Sequence, residues 1–333
     1  MIEKFGKVFD YSTIDRDVTW RAETAASRAT DSKRMAQKTV AIACPACSKN
    51  DAAPVNSIYD FHYVRCASCD LVYLRETPQI EELKSIYVEE SEEIEKSPGD
   101  DLMNTDAFDN RVEMICTPKV EFVLEHVTKH APSWTDIGCG VGDMVQAASG
   151  RGCNAIGYDI DQREIEHGQA HGSNVECLDV TQANAKKVLA DSDIVSLISV
   201  IEHVPNCAEV VQTVVSNAPR DASFVFEVPR FNSLSTLVNM NFPNSISRHM
   251  LPPNHVMLFT DLAFDNLLKS VGLKRRATWY YGADINEMIG NMLLNSAASN
   301  IDISALKDVL NDLQFIVDRA KFCDEMLVVC ERV

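Results

Sequence analysis

The spacing of apolar positions changes several times along this chain. From residue 112 to 127 it is helical, and beyond that short apolar runs alternate with amphipathic stretches. Residues 134–137, 154–159, 175–178, 193–200 and 222–228 read as strands, with helices opening at 143–148 and 163–170 between them. The run 193–200 is nearly all apolar, which predicts a central strand covered on both faces. This rhythm predicts an α/β fold, a Rossmann-like and mostly parallel sheet with helices on both sides. Further on, residues 264–271 read as a helix stopped by Gly272, 273–281 as a strand and 325–330 as the last strand. The last two should pair antiparallel. Between them, at about 283–320, helical patterns predict an insertion, notably over 303–320. Connections of that length are uncommon without a role.

Ahead of residue 105 the texture differs. Residues 1–38 are polar and predict an arm with some helix, and residues 39–88 hold short β-prone stretches among paired cysteines. Residues 89–104 are densely acidic, with a break at Pro98-Gly99, and predict a linker. Residues 105–333 would then form the main domain, insertion included.

The strand at 134–137 runs into Asp136-Ile-Gly-Cys-Gly-Val-Gly142. Glycine lets the chain turn tightly and bring its backbone close to a ligand. A dinucleotide enzyme spaces these residues as G-x-G-x-x-G to seat a pyrophosphate. Here Gly138, Gly140 and Gly142 stand at alternate positions with Asp136 just ahead, a pattern suited to a ligand without phosphate whose ammonium group and ribose need acceptors. Asp159 ends the next strand and is placed for the ribose hydroxyls. Asp179 ends the third and is placed for the adenine amino group, with Leu178 and Val180 flanking the ring.

Cys44-Pro-Ala-Cys47 and Cys66-Ala-Ser-Cys69 lie 18 residues apart. Two such hooks can put four thiolates around one tetrahedral Zn²⁺ with no open position, so the metal would be structural. The chain has 333 residues, 46% of them hydrophobic, eleven cysteines and a formal charge of −18. That charge works against binding a phosphate backbone, so nucleic acid is an unfavoured partner. No apolar run is long enough to span a bilayer, and the first residues lack the apolar core of a secretory signal. A cytoplasmic location is expected.

From about 105 to 230 the chain resembles the class I S-adenosylmethionine-dependent methyltransferases. Asp136 to Gly142 matches their first motif, Asp159 the second, Asp179 the third, and Ile201-Glu-His-Val-Pro205 the segment after their fourth strand. The resemblance implies S-adenosylmethionine as cofactor and methyl transfer as the reaction. The cysteine unit, closed by Cys-x-x-Cys-x-Leu-Val-Tyr, is similar to that of bacterial sugar C-methyltransferases and polysaccharide-cluster methyltransferases. In those enzymes the second histidine of a His-Glu-His segment is a candidate base. Here it is kept as His255, but Pro253 and Asn254 replace the first histidine and the glutamate. A sugar or nucleotide-sugar acceptor is the expectation, methylated at oxygen or carbon.

Methyl transfer is an in-line displacement that also removes a proton from a hydroxyl or acidic C–H acceptor. His255 and His203 are the candidate bases at the carboxyl rim of the sheet. Arg248, His249, Glu227 and Tyr281 are candidate substrate contacts. Two other readings compete: an RNA or protein methyltransferase gripping its polymer with the zinc unit, and a catalytically silent scaffold.

Overall fold

The computed structural model describes residues 1–8, 18–88, 105–242, 248–295 and 309–333. In chain order the first strands are β1 (Ile2–Phe5), β2 (Thr39–Ala41), β3 (Ala52–Ile58), β4 (Phe61–Cys66), β5 (Val72–Leu74) and β6 (Glu76–Pro78). Then come β7 (Ser133–Ile137), β8 (Asn154–Asp159), β9 (Val175–Cys177), β10 (Ile194–Ile198) and β11 (Ser223–Pro229). The last are β12 (Met257–Leu258), β13 (Leu273–Tyr281) and β14 (Glu325–Arg332). The main-domain strands predicted from the apolar pattern fall within two residues of these bounds.

Eight strands form one sheet in the order β1-β13-β14-β11-β10-β7-β8-β9. Strands β7 to β11 in it pair parallel, and β14 runs antiparallel to both β11 and β13. Side chains alternate between two apolar layers, as the pleat requires. Val195 and Phe226 face one layer, while Ile194 and Val225 face the other with Trp134 and Trp279. Each large side chain buried this way contributes roughly 1.5–3 kcal/mol. The helix Asp261–Ser270 begins where the Thr260 hydroxyl accepts from Ala263 N–H, and Gly272 (φ 75°) follows its end.

The polar arm is no detached tail. β1 lies parallel beside β13, from Ile2 opposite Ala277 to Phe5 opposite Tyr280, and the Trp279 indole donates to the Gly6 carbonyl at 2.7 Å. The helix Val18–Met35 packs on the insertion helix Asp284–Leu294. A Cβ at Gly290 would stand 2.3 Å from Arg21 Cζ, so the missing side chain is what lets Arg21 cross that helix.

The cysteine unit is not a separate bead either. β3, β4 and β5 form an antiparallel meander, and β12, from far along the chain, adds a fourth strand with Met257 opposite Tyr73. Tyr63 O–H donates to the His255 carbonyl at 2.9 Å. The unit therefore braces the loop that carries His255. The acidic run 89–104 lies outside the described residues, as does 303–308 of the predicted insertion helix, whose described part is Leu310–Arg319. Among the described residues, no helix is long and apolar enough to cross a membrane.

Candidate active site

The glycine loop leaves β7 at the carboxyl edge of the sheet, where open α/β sheets bind ligands. Gly138, Gly140 and Gly142 have φ of 71°, 53° and 77°, all left-handed. A Cβ at Gly138 would stand 2.6 Å from Val200 Cγ2, and one at Gly142 2.7 Å from Val175 Cγ1. The loop can be built only from residues without side chains at these two points.

The three acidic positions come to this edge in different states. Asp136 is buried and accepts from the Ser196 hydroxyl, which itself accepts from the Trp134 indole at 2.7 Å. Burial pushes the Asp136 carboxyl up to about 7. Asp159 accepts from Gly140 N–H at 2.8 Å and from Asp161 N–H at 3.0 Å, which ties the end of β8 to the loop. Asp179 is half-exposed and ion-paired with Lys84, from the helix Ile80–Val88 that trails the cysteine unit.

Beside this loop, a cavity of about 430 Å³ opens where β10, β11 and β14 meet at the same edge. Its wall takes Lys7 and Arg21 from the N-terminal segment, Arg111 and Lys119 from the helical run before β7, Ser199 and Glu227 from strand ends, and Arg248 and Glu325. Arg28 and the insertion residues Asn286 and Glu287 close it. Lys119 Nζ sits 2.8 and 2.6 Å from the two oxygens of Glu227, and Tyr281 O–H donates to the same carboxylate at 2.7 Å. Burial would depress the Lys119 ammonium, but the Glu227 charge overrides it and holds the amine above its ordinary value. Arg111 pairs with Asp143, the first residue of the helix after the glycine loop, at 2.7 Å. That ion pair joins the loop to the cavity. Arg248 bonds Glu325 at 2.7 Å. Ser199 follows β10 with φ 53°, a strained setting for a residue with a side chain, and its N–H donates to the Glu227 carbonyl at 3.1 Å.

The histidines stand next to this wall and are not among the residues lining it. His203 meets His255 edge-on at 4.7 Å between ring centroids, and His249 stacks on His255 at 5.7 Å. Burial pulls His203 and His249 down to about 4 and His255 well below its ordinary value. His249 Nε2 lies 3.7 Å from Glu325 Oε1.

The four cysteines predicted to bind metal do converge. Cys44 Sγ is 3.4 Å from Cys69 Sγ, Cys47 Sγ is 3.6 Å from Cys66 Sγ, and all four lie within 4.8 Å of one another. A tetrahedral Zn²⁺ with Zn–S of about 2.3 Å implies sulfur–sulfur edges of about 3.8 Å. A disulfide would need about 2.05 Å. The set fits zinc.

Of the residues expected to contact substrate, Glu227 and Arg248 line the cavity and Tyr281 reaches it through Glu227, whereas Lys7, Arg21, Arg111 and Lys119 were not anticipated. One signal was available. Lys119 shares the buried face of the helix Thr117–Leu124 with Val120, Phe122 and Val123, and a lysine on an apolar face demands a carboxylate partner. Lys7 and Arg21 had no such signal, because the segment that carries them reads as polar throughout.

A family described as a methyltransferase domain matches residues 108–278. The ubiquinone biosynthesis O-methyltransferase of Pseudomonas fluorescens (strain Pf0-1) is 29% identical over 99 residues, 28% of this chain and 43% of that protein. The match thus spans less than half of that relative. The enzyme of the same name from Hahella chejuensis is 23% identical over 208 residues, 59% of this chain and 83% of its own length. Among solved structures, an Archaeoglobus fulgidus SAM-dependent methyltransferase is 18% identical with a TM-score of 0.45, covering 69% of this chain and 100% of its own. The magnesium protoporphyrin IX methyltransferase of Synechocystis, with bound SAH, is 13% identical with a TM-score of 0.44, covering 76% and 94%. The family match takes in just over half of the chain, so the chain belongs to the methyltransferase-domain family.

Proposed function

We propose that this enzyme methylates a hydroxyl group on a polar, hydroxyl-rich small molecule of the sugar or nucleotide-sugar class. The observation that carries the reading is the composition of the cavity wall. Six cationic residues (Lys7, Arg21, Arg28, Arg111, Lys119 and Arg248) and three carboxylates (Glu227, Glu287 and Glu325) line one space. Charged groups already paired, such as Lys119 with Glu227 and Arg248 with Glu325, keep lone pairs and N–H groups for hydroxyls without demanding a net charge. An apolar ring with a lipid tail would leave that remaining hydrogen-bonding capacity unsatisfied, at a cost of up to ~1–3 kcal/mol each. The O-methyltransferases among its relatives, and Pro253 and Asn254 in place of histidine and glutamate, support oxygen over carbon as acceptor.

S-Adenosylmethionine supplies the electrophilic methyl group. The residues assigned to hold it are Gly138 and Gly140 through their backbone, Asp159 at the ribose and Asp179 at the adenine. Asp136, turned onto Ser196, shapes the loop from beneath. Glu227 is assigned to orient the acceptor hydroxyl, fixed in place by Lys119 and Tyr281. The zinc held by Cys44, Cys47, Cys66 and Cys69 is assigned a structural part, since four thiolates leave it no open position.

Calorimetry of the S-adenosylhomocysteine-loaded protein against nucleotide sugars, free sugars and catechols tests the reading. Saturable binding of a sugar compound and none of a catechol is expected. Catechol binding alone would overturn it.

A further inference from the structure

Seven described residues other than glycine have positive φ, and six of them serve ordinary connections. Ser48 and Asp70 end the cysteine hooks, Tyr59 and Asp60 join β3 to β4, and Ala131 and Lys321 lie in the loops before β7 and β14. Ser199 is different. It follows β10 directly at the carboxyl edge of the sheet, is exposed, and lines the cavity. Glycine would adopt its φ of 53° without strain, whereas serine brings strain and a hydroxyl. Such strain persists only where neighbours over-determine the backbone. Here the Ser199 N–H donates to the Glu227 carbonyl at 3.1 Å, and the His203 imidazole hydrogen-bonds the Ser199 backbone from the other side. The backbone is thus engaged twice, and exposure leaves the hydroxyl to whatever enters. The next residue, Val200, packs on the glycine loop, since a Cβ at Gly138 would stand 2.6 Å from its Cγ2. Ser199 and Val200 therefore mark the seam between loop and cavity. A methyl group passing from one to the other crosses there.

We propose that Ser199 recognises the methylsulfonium of S-adenosylmethionine, its hydroxyl oxygen accepting weak C–H···O hydrogen bonds from the transferable methyl group. The proposal rests on the assignment of the glycine loop to that cofactor, and not on the class of acceptor. The sulfonium charge polarises the methyl hydrogens, so an oxygen lone pair beside them favours the charged donor. When the methyl leaves, the electron pair of the C–S bond stays on sulfur, and the neutral sulfide offers that oxygen nothing. Ser199 thus separates methylated from spent cofactor, holding the first more tightly and easing exchange of the second. The contacts assigned to Asp159 and Asp179 cannot make this distinction, because ribose and adenine are common to both forms.

The test needs no acceptor. Affinities for S-adenosylmethionine and S-adenosylhomocysteine are measured by calorimetry in wild type, Ser199→Gly and Ser199→Ala. Expected is a preference for the methylated form that falls about two- to fivefold in both variants, with S-adenosylhomocysteine affinity unchanged. Ser199→Gly relieves the backbone and should melt no lower than wild type, so it carries the test should Ser199→Ala fold poorly. With ¹³C at the cofactor methyl, its bound protons should resonate downfield of the free value in wild type and return toward it in the variants. An unchanged preference, or methyl protons indifferent to the substitutions, would overturn the proposal and leave the sugar reading intact. Failure of the wild type to bind either form would overturn the cofactor assignment and the proposal together.

Discussion

Lys119 and Glu227 form a bidentate ion pair, 2.8 and 2.6 Å long, buried between the helix before β7 and the end of β11. Removing one partner of such a pair strands a charge and costs about 3–5 kcal/mol. Lys119→Met is expected to lower unfolding stability by that order in urea titrations. Glu227→Gln strands the Lys119 ammonium and should lower stability in the same direction, but the folded variant should keep its S-adenosylhomocysteine affinity and lose roughly 10- to 100-fold in kcat/KM through the lost charge-assisted contact with the acceptor. An unchanged kcat/KM would remove Glu227 from the acceptor site.

Gly138→Ala is expected to abolish cofactor binding in calorimetry. The new methyl would meet Val200 at 2.6 Å in a left-handed conformation, and relieving both moves the loop. Gly152, also left-handed, has open space around it. Gly152→Ala should therefore cost only about 1 kcal/mol of stability and leave cofactor affinity unaltered.

Asp159 has work on both sides: it ties down Gly140 and is assigned to the ribose. Asp159→Ala is expected to weaken S-adenosylhomocysteine binding by about tenfold or more, in line with loss of charged hydrogen bonds of ~1.5–3 kcal/mol. Equal affinity in the variant would place the ribose elsewhere.

Cys44→Ser is expected to lose the cysteine-bound metal, read by elemental analysis, and to unfold at a lower temperature. Because β12 belongs to the same small sheet, the loss should also loosen the His255 loop, measurable as faster amide exchange there. Retained metal with four-sulfur coordination would contradict the assignment.

Lys7 supplies a pH test. Burial, with Lys119 adding to it, pulls its ammonium from 10.5 down to about 7. The folded chain thus protonates it less readily than the unfolded chain does, and the folded state is penalised below pH 10.5, most fully at pH 7 and under. Lys7→Met should be more stable than wild type near pH 7, with an advantage that shrinks by about pH 9. A pH-independent difference in urea midpoints would show that Lys7 stays charged in the fold.

The sheet was legible because its signals are local. Alternating apolar runs, Gly142 before a helix and Gly272 stopping another all act within a few residues. The four cysteines were equally plain. The cavity was not, since its wall gathers Lys7, Lys119, Glu227 and Glu325 from four distant stretches, and no spacing rule connects them. For Asp136, expected to face the cofactor, only the fold reveals that Ser196 bonds its carboxylate.

β1 has one further consequence, in the order of assembly. Residues 2–5 pair with 277–280, so they must wait until β13 has been made. The glycine loop and its acidic neighbours lie within 136–179 and close over short spans. During synthesis, which proceeds from the N-terminus, this glycine-loop half can form first. The wall that carries Lys7 closes only when β13 arrives, so the proposed donor site would be complete before the proposed acceptor cavity.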